Sequence, residues 1–288
     1  MKYFVPVFLP LILSTAFPAV AVPLVTEGFD YTPPGALIAG QNGGAGWTGS
    51  WTESTLLPTL QDTITTGLSH PGLETTGGAL KLTISSQDQR DFNILDATNG
   101  ETTWVSFLLR SDNVTFSSGD IFYLALRPND TRPSPAFGVF YNPDTAKNVW
   151  GIGNQGTGGL TPVYSNVEFV TQTTYLVVAS ITWNTASAEP ETVRMFLNPN
   201  PATAPNATSA IAERSMQIGT NATTSNRIRR VFILAGDSTE SSQWTLDELR
   251  IARDFEAVLQ IPEPATASLA LLGTLFAFSK RRRKAAKS

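Results

Sequence analysis

The chain has 288 residues, a formal net charge of −4, one histidine and no cysteine. Without cysteine there are no disulfides or thiolates, and a zinc site of the common kinds lacks its ligands. Residues 22–260 hold 13 Lys and Arg against 23 Asp and Glu, a net charge of −10, which disfavours nucleic acid as an electrostatic partner.

Residues 1–21 predict a cleaved secretory signal peptide. Lys2 supplies a positive start, residues 3–17 carry no charge, and Ala19-Val20-Ala21 forms a small-residue cleavage site. Signal peptidase is therefore an expected partner, and Val22 is the expected first residue of the mature chain.

Residues 22–260 predict a single all-β domain. Short segments rich in Val, Ile, Phe, Tyr and Trp alternate with Gly, Asn, Asp, Ser and Pro. The predicted strands are 79–85, 103–110, 121–127, 136–141, 149–152, 175–183, 192–197, 228–234 and 244–252, and the one predicted helix is 254–259. Many short strands favour a two-sheet β-sandwich or jelly roll over an α/β fold.

Two stretches predict long surface loops within that domain. Residues 35–49 are rich in Gly, and residues 198–226 are rich in Pro, Ala, Thr and Asn. Residues 211–218 fit an edge strand inside the second loop. In the last strand the apolar alternation breaks near Asp247, which predicts a bulge.

Both ends of the body resemble a known fold. Glu27-Gly28-Phe29-Asp30-Tyr31 and Trp244-Thr245-Leu246-Asp247-Glu248-Leu249-Arg250-Ile251 look like the first and last strands of concanavalin A-like, or LamG-like, jelly rolls. The resemblance implies that these two segments lie side by side in one sandwich.

No catalytic motif emerges from the acids or the histidine. Asp247 and Glu248 are strand neighbours that face opposite sides, so we expect structural roles for them, with Arg250 or Arg253 as partners. The Glu-x-Asp-x-x-Glu pattern of laminarinase-type enzymes of this fold is absent from the sequence. His70 precedes Pro71-Gly72 and predicts a loop position rather than a catalytic base.

Three tryptophans are candidates for stacking on sugar rings. Trp47 and Trp51 lie in the Gly-rich loop, and Trp150 lies beside Gly151. A flat ring exposed in such a loop suits a pyranose face. The alternative is that these rings anchor the loop or fill the core.

A bound metal is a weaker hypothesis. The loop clusters Asp112-Asn113 and Asn142-Pro143-Asp144 offer the oxygen ligands that calcium prefers. Asx residues also form turns without a metal. No other cofactor is expected.

The C-terminal stretch, residues 261–288, combines three features. Ile261-Pro262-Glu263-Pro264 is stiff and extended, because each proline fixes φ and lacks an amide donor. Residues 265–279 predict a short transmembrane segment, since a full span needs about 20 apolar residues. The basic run Lys280-Arg281-Arg282-Arg283-Lys284, within the tail 280–288, should remain cytoplasmic.

This order resembles the PEP-CTERM sorting signal of exopolysaccharide-producing Gram-negative bacteria. In that family a membrane protease, exosortase, cuts near the Pro-Glu-Pro triplet. The resemblance implies that Pro262, Glu263 and Pro264 are the recognition residues, and that the inner membrane holds the protein only transiently. An ordinary tail anchor is the alternative, since it shares the apolar span and the basic end.

Two functions follow as hypotheses. The first is a non-enzymatic protein of the cell surface or extracellular matrix that binds exopolysaccharide or another glycan, or has a structural role there. The second is a secreted carbohydrate-active enzyme, a glycoside hydrolase or lyase, on the same jelly-roll fold.

Overall fold

The structure is a computed structural model that describes most of the chain between the two terminal signals. The described residues are 22–53, 61–75, 77–83, 86–96, 98–113, 121–128, 133–156, 159–184, 190–218, 227–236 and 243–259. The predicted signal peptide, 1–21, and sorting signal, 261–288, lie outside them.

The described chain is almost entirely β-strand, as predicted. The strands are β1 Val25–Glu27, β2 Thr52–Glu53, β3 Gln61–Ile64, β4 Ala79–Thr83, β5 Ser86–Asp96, β6 Thr102–Asn113, β7 Ile121–Arg127, β8 Ser134–Asn142, β9 Lys147–Gly156, β10 Gly159–Glu168, β11 Tyr175–Thr182, β12 Glu191–Leu197, β13 Ala212–Met216, β14 Arg227–Gly236 and β15 Gln243–Ala252. A 3-10 turn spans Ala207–Ser209, and the helix α1 spans Phe255–Leu259.

The strands form two antiparallel sheets packed face to face. The eight-stranded sheet has the order β13-β12-β11-β6-β15-β4-β3, with β1 also paired to β15. The seven-stranded sheet has the order β10-β9-β8-β7-β14-β5-β2. Strands distant in sequence are neighbours in both sheets, which is the two-sheet sandwich predicted from the sequence.

The main core lies between the sheets and is strongly aromatic. Alternate residues of each strand point inward; on β7 these are Phe122, Leu124 and Leu126, all fully buried. The ring of Phe122 lies 5.4 Å from that of Trp244 on the opposite sheet. Aromatic packing of this kind contributes to the stability of the core.

The outer face of the eight-stranded sheet, here called the capped face, is covered by the chain itself. Leu108, Leu176, Val178 and Phe196 are buried there beneath α1 in a second apolar cluster. The ring of Phe255 on α1 lies edge-on to Trp104 at 5.2 Å.

The outer face of the seven-stranded sheet, here called the open face, differs. Among the described elements, α1 contacts β6 and β15 of the other sheet, and no described helix lies on this face. Its floor is a small cluster that includes Tyr123, Phe140 and Phe232.

The predicted pairing of the body's two ends is confirmed, although the first strand ends at Glu27 and Gly28-Phe29-Asp30-Tyr31 follow it outside the strand. β1 pairs with β15, with Val25 opposite Ile251 and Glu27 opposite Leu249. The predicted bulge is also present, since the β15–β6 register shifts between Asp247 and Arg250. Glu248, inside this bulge, has a left-handed φ of 52°.

All nine predicted strands and the helix are present, but β1, β2, β3, β5 and β10 lie outside the predicted ranges. β5 is the longest of these, and its inward positions include Asp88 and Arg90, both buried. Strand prediction relies on apolar residues at inward positions, so polar groups there conceal the strand. The expected edge strand is β13, at one end of its sheet.

Candidate functional site

A row of polar side chains crosses the open face, with one residue from each of five neighbouring strands. We call it the polar row: Asp91, Arg230, Arg127, Ser134 and Gln155. Asp91 lies opposite Arg230, which lies opposite Arg127. Ser134 lies opposite Gln155, and the β7–β8 pairing continued by two residues brings Arg127 level with Ser134. Strands about 4.8 Å apart make the row roughly 19 Å long.

The inward and outward alternation of side chains along β7 places Arg127, its member of the polar row, on the outer face. Phe122, Leu124 and Leu126 belong to the core between the sheets, whereas Tyr123 and Ala125 belong to the cluster on the open face. Arg127 continues the outward series.

Arg127, Gln155 and Tyr123 form a fixed hydrogen-bonded unit within this face. The Arg127 Nε and Nη2 atoms donate to Gln155 Oε1 at 3.0 and 2.7 Å. The Gln155 Nε2 atom donates to the Tyr123 hydroxyl at 2.7 Å. The Arg127 guanidinium also lies 3.3 Å from the ring centre of Phe232. A charge-assisted bond and a cation–π contact together hold the side chains in one orientation.

The other arginine of the row is held by a carboxylate. Arg230 Nε and Nη2 donate to the two oxygens of Asp91 at 2.5 and 3.1 Å. Arg230 Nη1 also donates to Gln89 at 3.3 Å. The fork-to-carboxylate geometry gives directional specificity, and both side chains stay partly exposed at 14 % and 39 %.

Burial keeps the Tyr123 hydroxyl protonated. Desolvation raises the pKa of Tyr123 to about 12, although the Arg127 charge and the Gln155 hydrogen bond lower it. The phenol is therefore neutral at ordinary pH and accepts the hydrogen bond from Gln155.

Beside the polar row, small residues line the middle of the open face. Ala125 lies opposite Ala136, which lies opposite Gly153. A Cβ atom at Gly153 would lie 2.5 Å from Leu160 Cδ1 and 3.3 Å from Phe140 Cζ. The side chains of Leu160 and Phe140 therefore pack closely over Gly153.

The stacking prediction is wrong for Trp51 and Trp150. Trp51 is 1 % exposed and Trp150 is 0 % exposed, so neither ring can reach a sugar. Trp150 lies inside the core, 5.0 Å from Tyr175 and 5.5 Å from Phe169 between ring centres. The alternative, a core or anchoring role, holds for both.

A buried ion pair, which sequence reasoning missed, explains why the Gly-rich loop is not an exposed platform. Arg90 Nη1 donates to Glu27 Oε2 at 2.7 Å, and both side chains are 1 % exposed. Trp51 Nε1 donates to the same oxygen at 3.1 Å. Arg90 also donates to the carbonyls of Gly43 and Gly49.

Trp47 is half-buried at the rim of this cluster. Its Nε1 donates to the Thr26 carbonyl at 3.0 Å, and Arg90 lies 4.7 Å from its ring centre. A glycan-stacking role for Trp47 stays a prediction.

A cleft of about 400 Å³ lies beside the buried ion pair, lined among others by Asp30, Glu74 and Arg250. Arg250 Nη2 donates to Glu248 at 2.7 Å, and Asp30 accepts from the Gly78 amide at 2.5 Å. These polar groups stabilise the fold around the cleft.

The structure gives Asp247 and Glu248 the structural roles expected for them. Asp247 is fully buried on the capped face, where it accepts from the Leu68 and Glu248 amides at 2.7 Å each. Burial first, and Glu248 next, raise the pKa of Asp247 to about 8. Arg253 is paired with Glu101 instead.

The calcium hypothesis gains no support from geometry. Asp112 is paired with Arg110 at 2.7 Å, and Asp144 lies in the exposed β8–β9 turn with its amide bound to Asn142. Among the residues that the structure describes, no three acidic or histidine side chains are grouped as metal ligands. His70 is half-buried, with Nδ1 3.1 Å from the Pro71 carbonyl.

The predicted terminal sites lie outside the described residues. These are Ala19 and Ala21 at the signal-peptidase site, the triplet Pro262, Glu263 and Pro264, and the basic residues Lys280, Arg281, Arg282, Arg283 and Lys284. In the part of the chain that the structure describes, no helix is long and apolar enough to span a membrane.

Comparison with solved structures confirms the fold. The alginate lyase Aly36B is 13 % identical, with a TM-score of 0.52 over 81 % of this chain and 98 % of that one. A mutant of the same lyase in complex with alginate tetrasaccharide is 12 % identical, with a TM-score of 0.50 over the same shares. The seed lectin of Lotus tetragonolobus is 14 % identical, covering 67 % of this chain and 97 % of that one, with a TM-score of 0.40.

Comparison at the sequence level identifies the tail. No curated protein matches the chain. A family model for the PEP-CTERM protein-sorting motif matches residues 260–284, the stretch predicted as the sorting signal, and this motif implies processing by exosortase. The protein is therefore an exported β-sandwich protein that carries a PEP-CTERM sorting motif.

Proposed function

We propose that this protein is a non-catalytic glycan-binding module, delivered by exosortase to the cell surface or extracellular matrix of a Gram-negative bacterium. The polar row on the open face is the observation that carries the proposal. It aligns charged and polar side chains, of which Asp91, Arg230, Arg127 and Gln155 are partly exposed, on the face where no described helix lies.

The chemistry of the row suits a sugar polymer. Hydroxyl-rich ligands need directional donors and acceptors together with flat apolar patches. Arg127 and Gln155 are the polar groups, and hydrogen bonds from Arg127 to Gln155 hold them in place. Tyr164, on the neighbouring strand β10, adds a half-exposed ring. The alginate lyase of similar fold was solved with an alginate tetrasaccharide, which supports a polysaccharide as the ligand class.

Two features favour binding without bond cleavage. Glycosidases need a pair of carboxyl groups about 5–9 Å apart, and two carboxylates on this side of the sheet, Asp91 and Glu168, are each bound to a cation, Arg230 and Lys147. The raised pKa of Tyr123 leaves that phenol protonated, so it is a poor base for eliminating a glycosidic bond.

A secreted carbohydrate-active enzyme is the second candidate. The Tyr123 hydroxyl and the Arg127 guanidinium contact the same Gln155 amide. Such a group could exchange a proton with a sugar ring once an anionic substrate displaces water and changes the local charge.

One experiment separates the two candidates. The full chain in detergent is incubated with alginate, a neutral β-glucan and the native exopolysaccharide, and both binding and product release are measured. Binding of at least one polymer, with no new reducing or unsaturated ends, is the expected result. Release of products that Tyr123→Phe abolishes would favour the enzyme, and no binding to any polymer would refute both.

A further inference from the structure

Two acidic side chains face each other on the inner side of the seven-stranded sheet, at its edge. Asp88 on β5 lies directly opposite Glu53 on β2, the last strand of that sheet. The same cross-strand row continues through Ile233 to Leu124, and both of these belong to the core between the sheets. A row of apolar core residues therefore ends in two acids, and directly paired residues have Cβ atoms about 4.5–5.5 Å apart.

This pair lacks the hydrogen bonds that buried carboxyl groups ordinarily make. Asp88 is 0 % exposed, and neither of its carboxyl oxygens has a hydrogen-bond partner among the described residues. Glu53 is half-buried, and its Oε1 atom is buried without a partner in the same part of the chain. A buried charge is costly unless it is paired, hydrogen-bonded or bound to a metal ion. The pair therefore needs a counterion or a proton that the described side chains do not supply.

The neighbouring arginine is bonded elsewhere. Arg90 is the next inward residue along β5 after Asp88, and it is also buried. Its guanidinium donates to four groups of the first strand and the Gly-rich loop, which are the Glu27 carboxylate, the Asn42 amide oxygen and the carbonyls of Gly43 and Gly49. Glu53, in contrast, adds a like charge. Burial first, and the Glu53 charge next, raise the pKa of Asp88 to about 8.

We propose that Asp88 and Glu53 together bind a calcium ion. Carboxylate oxygens are the ligands that calcium prefers, and two carboxylates neutralise the charge of a divalent ion. Each carboxylate can bind through one or both oxygens, and water reaches the half-buried Glu53 side to complete the coordination. The ion replaces the proton that the pair otherwise holds, and it ties the short edge strand β2 to β5.

This site differs from the two loop clusters considered from the sequence. Asp112 is already paired with Arg110, and Asp144 lies in an exposed turn, whereas Asp88 is fully buried without a partner among the described residues. The inference rests on the register and burial of β2 and β5. It does not depend on whether the open face binds a glycan.

Thermal unfolding with and without calcium tests the site. The full chain in detergent is freed of metal with a chelator and unfolded at about pH 8.5, where both acids ionise. It is then unfolded again with about 10 mM CaCl2 or MgCl2. An affinity typical of extracellular calcium modules, about 10⁻⁴–10⁻³ M, should raise the midpoint temperature by about 3–10 °C. Magnesium should give a smaller shift, because it loses its bound water reluctantly.

Substitutions assign the shift to the pair. Asp88→Asn and Glu53→Gln should each remove most of the calcium shift, because each deletes one carboxylate with little change of shape. Glu53→Gln, on the half-buried edge strand, decides the matter if Asp88→Asn does not fold. Asp112→Asn is the matched control and should keep the full shift.

Three results would overturn the proposal. The first is a wild-type protein whose midpoint does not respond to calcium, which would leave the pair as two carboxyl groups that share a proton. The second is a calcium shift that Glu53→Gln retains, and the third is an equal shift in magnesium. None of these results bears on the glycan measurements.

Discussion

The two outer faces of the sandwich differ in what completes them. On the capped face, Leu108, Leu176 and Val178 are fully buried beneath the chain's own helix and loops. On the open face, four members of the polar row stay partly exposed while Ser134 is buried, and Arg127 is hydrogen-bonded to Gln155. The same strand alternation produces both faces, but the capped face is mainly apolar, whereas the open face also carries the charged and polar residues of the row.

We therefore expect the capped face to contribute mainly to stability and the open face mainly to ligand binding. Burial of apolar surface is the main source of folding free energy. The capped face buries additional apolar surface in a second cluster. On the open face, hydrogen bonds orient polar side chains. Such bonds contribute little net stability. Substitutions on the two faces should therefore have different consequences, as follows.

The largest effect is expected from a cavity on the capped face. Leu176→Ala removes a fully buried side chain and should lower the free energy of unfolding by about 2–5 kcal/mol. Urea denaturation measures this loss, and glycan affinity of the folded variant should stay unchanged. A loss below about 1 kcal/mol would contradict the buried second layer.

On the open face the expected effect is on binding. Arg127→Gln removes a charged donor and should weaken glycan binding by about 1.5–3 kcal/mol, or tenfold and more. Equilibrium binding to the best polymer of the panel measures it. Arg194→Gln is the matched control, because Arg194 is paired with Glu213 on the other sheet. Equal losses in both variants would point to a general charge effect.

Buried acids should make stability depend on pH. Burial raises the pKa of Asp247 to about 8, and burial with Glu53 nearby raises the pKa of Asp88 to about 8, from an ordinary value of 3.8. Because the folded protein keeps protons that the unfolded chain has released, stability should fall as pH rises from about 4 to about 8. A drop of at least about 1 kcal/mol is expected between pH 5 and pH 8.

Thermal unfolding across this pH range measures the slope of stability against pH. Asp247→Asn and Asp88→Asn should each flatten it, and the double variant should flatten it further. Stability that rises with pH over this window would show that the two carboxyls are ionised in the folded protein.

The smallest effect is expected at the Tyr123 hydroxyl. Tyr123→Phe removes one hydrogen bond and leaves Gln155 Nε2 without that acceptor, at a cost of about 0.5–1.5 kcal/mol in stability. Glycan affinity should fall only moderately, because Arg127 still holds Gln155. Loss of all binding would assign the hydroxyl a direct ligand contact.

The sequence predicted the strands whose inward positions are apolar, and it predicted the pairing of the first and last strands from short motifs. It missed β5, because inward Asp88 and Arg90 interrupt the apolar alternation. It also misjudged Trp51, because the buried acceptor, Glu27, lies 24 residues away in sequence.

Sequence patterns could not predict the polar row. Its members come from β5, β7, β8, β9 and β14, and only the sheet order and register bring them into one line. A motif search detects residues that are close in sequence, as in the Pro-Glu-Pro triplet, whereas the row depends on long-range pairing.

Amide hydrogen exchange with and without the best-binding polymer tests the central claim most directly. The account predicts that ligand slows exchange in β7, β9 and β14, which carry Arg127, Gln155 and Arg230, and leaves β11 and α1 unchanged. Protection confined to the capped face, or to the Gly-rich loop around Trp47, would contradict the assignment of the open face as the glycan-binding surface.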